Sequence, residues 1–408
     1  MNAFRNFLVI CTGLSAMSAF ATGEISDVRV TSDAGKVTVT YALSENAVVT
    51  ARFFADGEWI DEGRVTRISG DICRKVSATS DAERRSFTWL AHKENLSDAE
   101  RGTFPDAKVE LTAWALKAPP PWMVVDLAGN DSVRYYASAA AVPGGVTSDT
   151  YKTDKLLLFK VPAKHVEWYM GSPANEADRS SDETRHKVVL TDDFYLGVYP
   201  VTQRQSERVT GVKCGKPSVL SVADDSPMWP TSGFGYNAMR GAGVAPSAPP
   251  AANSILDQWR TATGVDLDLP TEAQWEFAFR AGTTRAYAYG SYAGNRDNSW
   301  TTSNGASSTT YHHAVGRFQP NGFGLYDMAG NVWEQVRDRW SQYAFDDPEV
   351  AVVDPFCADM TDEFTLSRGG SYAGPAVHTR SAKRYHGLPL TSDSYALGYR
   401  LMAPAEAR

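Results

Sequence analysis

The chain is short of the residues and motifs that mark most soluble enzymes. It holds 4 cysteines in 408 residues, none in a CxxC pair, and it has no HExxH, GxSxG elbow, P-loop or dinucleotide fingerprint. Those absences remove structural zinc, zincin, α/β-hydrolase and nucleotide-binding readings. A net charge of -8 with no Lys/Arg run leaves no basic footprint for nucleic acid or an anionic membrane surface. Beyond the N-terminus no apolar stretch approaches the roughly 20 residues of a spanning helix, so no stable membrane insertion is expected.

What is present begins with an export signal over residues 1–21. Arg5 supplies the positive start, Phe7 to Ala19 is largely apolar, and Ala19-Phe20-Ala21 has the small-x-small pattern before a cut. The mature chain is expected to begin near Thr22, in a secreted, periplasmic or cell-envelope setting. Cys73, Cys214 and Cys357 then remain, an odd number that permits at most one internal bridge.

Residues 22–118 read as an antiparallel β-sandwich of immunoglobulin or fibronectin type. Val28 to Val30, Val37 to Tyr41, Val48 to Phe54, Ser86 to Leu90 and Val109 to Leu116 alternate at period two, and Trp89 and Trp114 are expected in its core. Pro119-Pro120-Pro121 ends the sheet and opens a linker over 119–157, whose polar SDTYKTDK segment should lie on the surface. A second domain over 158–404 contains helices predicted at 271–281, 251–261 and 202–210. The first starts on a Thr271/Gln274 capping box and stops at Gly282. The fold class is α+β.

The densest signal is NGFGLYDMAGNVWEQVRDRW at 321–340, followed by SRGGSY at 367–372 and LGYR at 397–400. WYMGSP, DETRHKVVL, FYLGVYPVTQRQ and LPTEAQWEFAFRAG precede it in that order, from 168 to 282. Taken together, these motifs resemble the formylglycine-generating enzyme, or sulfatase-modifying factor, family, with its loop-rich C-type-lectin-like fold. The resemblance implies a copper site built on two cysteines after GGSY, where this chain has Gly374 and Thr379. Thiolates are soft ligands that select Cu(I), and neither residue supplies one, so copper is not expected. The related branch with a three-histidine iron site adds a helical domain that is missing here, so iron is not expected either.

The resemblance also implies a calcium site of Asp327 and Glu334 carboxylates with Gly330 and Val332 carbonyls, and a groove formed by Trp333, Ser371, Tyr372, Gly374 and Thr379. Arg368 and Arg400 are expected to be paired or stacked inside the scaffold. Gln335 stands where the family commonly has tryptophan. Adjacent His312 and His313 read as a solvated pair pointing opposite ways. The expected function is recognition or scaffolding without catalysis, for a protein, peptide or glycan ligand. The alternative is an oxidoreductase of the formylglycine-generating or non-haem-iron type using Ser371, Trp333, His378 and His386.

Overall fold

The computed structural model describes residues 23–407 apart from 34, 56–57, 81–82, 95, 97–107, 130–131, 213–225 and 304–311. The predicted signal segment and Cys214 lie outside the described residues. Two compact units emerge: Met1–Val124 with Val133–Ser148 and Ala405–Arg408, and Val125–Ser132 with Asp149–Pro404.

The first unit contains β1 (Ile25–Asp33), β2 (Lys36–Leu43), β3 (Ala47–Ala55), β4 (Glu58–Trp59), β5 (Ile68–Gly70), β6 (Lys75–Val76), β7 (Arg85–Leu90) and β8 (Lys108–Ala115). They form two sheets, one ordered β1-β2-β7-β5 and the other β4-β3-β6 with β8 beside β3. Alternation decides what each strand buries: Val37, Val39, Tyr41 and Leu43 of β2 point inward while the residues between them do not. Residues from both sheets, among them Val39, Phe53, Phe87, Trp89 and Leu111, make one apolar cluster. Trp114 departs from expectation. Val109, Leu111 and Ala113 take the inner face of β8, which leaves Trp114 on the other face, where its indole donates to Thr50 Oγ1 at 2.9 Å.

The stretch read as a linker carries β9 (Trp122–Asp126), β10 (Val133–Tyr136) and a 3-10 turn at Asp149–Lys152. The SDTYKTDK segment is not uniformly on the surface, because Tyr151 and Lys152 are buried. Their carbonyls accept from Gln205 Nε2 at 3.0 Å and Thr202 Oγ1 at 2.7 Å, which ties this turn to the start of the Gln203–Thr210 helix.

In the second unit, β11 (Lys155–Val161), β14 (Phe194–Gly197) and β20 (Met402–Pro404) pair antiparallel, bringing the ends of the domain together. A second sheet joins β12 (Glu167–Met170), β13 (His186–Val189) and β16 (Val352–Val353). A third is ordered β18 (Tyr385–Pro389), β17 (Phe364–Arg368), β15 (Trp333–Arg339), β19 (Leu397–Tyr399). Among the described residues no helix is long and apolar enough to cross a membrane.

The Glu272–Arg280 helix positions much of the site. Thr271 Oγ1 accepts from Gln274 N at 3.2 Å and Gln274 Oε1 accepts from Thr271 N at 2.9 Å, completing the predicted capping box. Trp275 and Phe279 share a face and stack with ring centroids 5.2 Å apart. The left-handed C-cap falls on Ala281, one residue before the glycine expected to stop the helix. Thr271→Ala should cost about 1 kcal/mol, read as a lower denaturant midpoint at unchanged slope; no shift would mean that the cap contributes nothing beyond tertiary packing.

Candidate functional site

Strand β15 separates the interior from the groove. Trp333 and Glu334 are consecutive, so they leave the strand on opposite faces. Glu334 enters the core, where its carboxylate accepts from Arg400 Nε at 3.1 Å, Arg400 Nη2 at 2.9 Å and the Trp275 indole at 2.7 Å. Arg400 also donates to the carbonyls of Gly197 and Tyr326, both at 2.6 Å. A planar guanidinium thereby joins β14, the 326 loop and β15.

Two further pairs hold the segment that follows GGSY. Arg380 meets Glu183 in a fork at 2.7 and 2.8 Å and Glu176 at 2.9 Å. Arg384 meets both Glu272 oxygens at 2.7 and 3.0 Å. Arg368 pairs with Glu276, lies over the Trp275 ring at 5.4 Å, and donates to Lys383 O at 2.7 Å. Burial alone would raise the Glu276 carboxyl, but Arg280 and Arg368 beside it hold it below its ordinary value.

On the outer face the Trp333 and Tyr385 rings stack at 4.6 Å and 15°, and His378 lies 5.8 Å from Trp333. A Cβ added to Gly374 would sit 2.9 Å from His378 Nδ1, so the imidazole already fills the space a side chain there would need. Burial, with Lys383 and Arg380 adding to it, lowers the His378 pKa and favours the neutral ring. Thr379 is fully buried; its hydroxyl accepts from Asn295 Nδ2 and donates to Ala376 O at 2.6 Å. Of the expected groove residues, Trp333, Ser371, Gly374 and Thr379 are buried, while Tyr372 is half-buried. Tyr385 and Asn295 belong to the site and were missed. The available signal was the extended register of 385–389, which obliges either Tyr385 or His386 to face Trp333.

His378 and His386 do not converge. Ser367 pairs with Tyr385 and Leu366 with His386, so neighbouring residues of β18 project to opposite faces. His386 instead stacks on Trp340 at 4.5 Å, its Nε2 2.9 Å from Asp362 Oδ2. Cys357 is a free thiol whose backbone adjoins Asp338 and Arg339, at the far end of β15 from Trp333. Asp338 is five residue steps along the strand from Trp333, about 17 Å. The histidine pair at 312–313 is not solvated as expected. His312 is buried against Trp229 with Gln203 Nε2 at 3.1 Å, and burial pushes its pKa down to about 4. His313 stacks on Trp300 at 3.7 Å.

The residues expected to hold calcium already have protein partners. Asp327 Oδ2 accepts from Gly316 N at 2.6 Å, and burial pushes its carboxyl up to about 6. Both Glu334 oxygens are engaged by Arg400 and Trp275, as above. Calcium prefers 6–8 oxygen ligands, roughly. A set whose second carboxylate is forked to a guanidinium does not fit such a cage as folded.

Fold and site together define a loop-rich frame of the formylglycine-generating type, pinned by buried arginines. Residues 160–405 match the sulfatase-modifying factor enzyme 1-like domain, and the chain belongs to that family. It is 33% identical over 253 residues to the formylglycine-generating enzyme of Thermomonospora curvata, covering 53% of this chain and 82% of that protein. Against the inactive C-alpha-formylglycine-generating enzyme 2 of Bos taurus it is 39% identical over 93 residues, 21% of this chain and 30% of that protein. Treponema denticola variable protein 1 shares the fold at a TM-score of 0.50 and 20% identity, over 61% of this chain and 95% of that one.

Asp338 gives the frame a measurable pH dependence. It accepts from Glu272 N at 2.7 Å and Cys357 N at 3.1 Å, and burial followed by the Glu272 charge pushes its carboxyl up to about 7. The native state therefore holds this proton more tightly than the unfolded chain, and ionisation disfavours the fold progressively as pH rises from about 4 through 7. Asp338→Asn removes that term. Relative to wild type, the variant should gain stability across this interval and no further above it; a pH-independent difference in denaturant midpoints would refute the assignment.

Proposed function

We propose that the protein is an exported, non-catalytic recognition or scaffold member of its family. The observation that carries this reading is the pair Gly374 and Thr379: one has its side-chain space taken by His378, and the other has its hydroxyl saturated by Asn295 and Ala376. Neither offers the thiolate that Cu(I) chemistry needs. The name of the inactive mammalian relative supports the same direction. In this reading Tyr372, His378 and Tyr385 form the solvent-facing wall for a protein, peptide or glycan ligand. The first unit, taken as an immunoglobulin- or fibronectin-like sandwich, serves as a partner-binding module.

Aerobic incubation of the purified protein with Cu(I) and a cysteine-containing sulfatase peptide should yield no formylglycine by mass spectrometry. Copper-dependent loss of the peptide thiol with aldehyde formation would sink the proposal. Export is tested separately, by N-terminal sequencing of protein expressed with its leader: a start near Thr22 is expected, and an intact Met1 in the exported fraction contradicts it.

We also propose that Arg400, rather than calcium, neutralises Glu334. Millimolar calcium or EGTA should then leave the thermal midpoint unchanged. A stabilisation of several degrees by calcium, abolished in Asp327→Asn, would reverse that conclusion.

A further inference from the structure

The groove side of β15 carries polar side chains that the fold itself does not use. Ser371, Tyr372, His378 and Tyr385 make no side-chain hydrogen bond or ion pair with any described residue. Ser371 is only 2% exposed, yet its hydroxyl oxygen is not fully enclosed, and the other three side chains are half-buried. A nearly buried hydroxyl without a partner costs free energy, which a partner arriving from the groove would recover. The turn closed by Gly374 N donating to Ser371 O at 3.1 Å wraps the His378 ring, which fills the space above Gly374. His378 and Tyr385 in turn lie 5.8 and 4.6 Å from Trp333.

Each of these four groups can both donate and accept. A serine or tyrosine hydroxyl does so by nature, and a neutral imidazole donates from one nitrogen and accepts at the other. The charges beside His378 are paired. Arg380 meets Glu183 and Glu176, and Lys383 donates to Ser180 Oγ at 2.9 Å with Glu183 at 3.9 Å. Burial alone raises the Tyr372 hydroxyl, with no charged neighbour contributing. A charged ligand entering here would lose its hydration without gaining a counter-ion. A peptide offers its backbone donors and acceptors as separate groups, whereas every sugar hydroxyl is both, and a sugar ring also presents C–H faces that pack on aromatic rings.

We infer that the groove takes a neutral saccharide, seated against the Trp333/Tyr385 pair and hydrogen-bonded by Ser371, Tyr372, His378 and the Tyr385 hydroxyl. This rests on the recognition reading above and narrows its ligand to one class. The full mature chain is screened on arrays of neutral oligosaccharides, of sialylated and sulfated glycans, and of random-sequence peptides, and the best neutral oligosaccharide is then titrated by calorimetry. Saturable binding to neutral oligosaccharides, insensitive to added salt, is expected.

Ser371→Ala/Tyr385→Phe keeps the ring stack and removes two hydroxyls, so it should weaken that binding by about tenfold. Neither hydroxyl has a partner in the fold, so the thermal midpoint of this variant should not fall. Binding confined to charged glycans or to peptides, no binding on any array, or a variant that binds like the wild type or melts lower overturns the inference. Binding to charged glycans or peptides would leave the recognition reading standing, and that reading fails separately if Cu(I) supports formylglycine formation.

Discussion

Buried arginine–carboxylate pairing is the constraint on which the second unit rests. Its sheets are small and much of the chain runs in loops, so apolar burial alone would not specify one arrangement. Arg368, Arg380 and Arg400 are fully buried and Arg384 nearly so; each is matched to a buried glutamate, and Arg368, Arg384 and Arg400 also donate to carbonyls of other segments. Desolvating such charges is expensive, and the pair need not be more stabilising than an apolar substitute. Losing one partner, however, typically costs about 3–5 kcal/mol. Pairing of this kind penalises every wrong loop register, because each alternative leaves a charge stranded.

That arrangement explains how the groove can diverge while the frame persists. The ion pairs occupy the inner side of β15 and β17 and the flanks of the 376–386 segment. The groove side holds Trp333, Tyr385 and His378. Changing position 374 or 379 leaves no buried charge unpaired. His378 can then settle against Gly374 and Thr379 can bond to Asn295 with the arginines untouched. The groove side chains and the ion pairs of the scaffold are different atoms, so the one can change without the other.

Local features were legible in the sequence where one short-range rule governs them. The Thr271/Gln274 capping box, the Trp275/Phe279 face and the alternating strands of the first unit follow from spacing alone. Trp114 was misplaced for a related reason: it is aromatic, but its position in the alternation of β8 points it away from the core. The partners of the arginines were not legible. Glu183 lies 197 residues from Arg380, and Glu272 lies 112 from Arg384, so no local pattern joins them. The same distance problem hid the contact between Asn295 and Thr379. The polar look of SDTYKTDK concealed Tyr151 and Lys152, whose burial is set by a helix start some fifty residues on.

The frame stands on its ion pairs, and we propose that Gly374 and Thr379 leave the groove without a copper site. Anaerobic Cu(I) titration against a competing chelator tests it most directly, comparing the wild type with the Gly374→Cys/Thr379→Cys/His378→Ala variant. The wild type should take no copper from the chelator, and the variant should bind one equivalent with its unfolding midpoint preserved. One equivalent bound by the wild type, or collapse of the fold in the variant, would contradict the account.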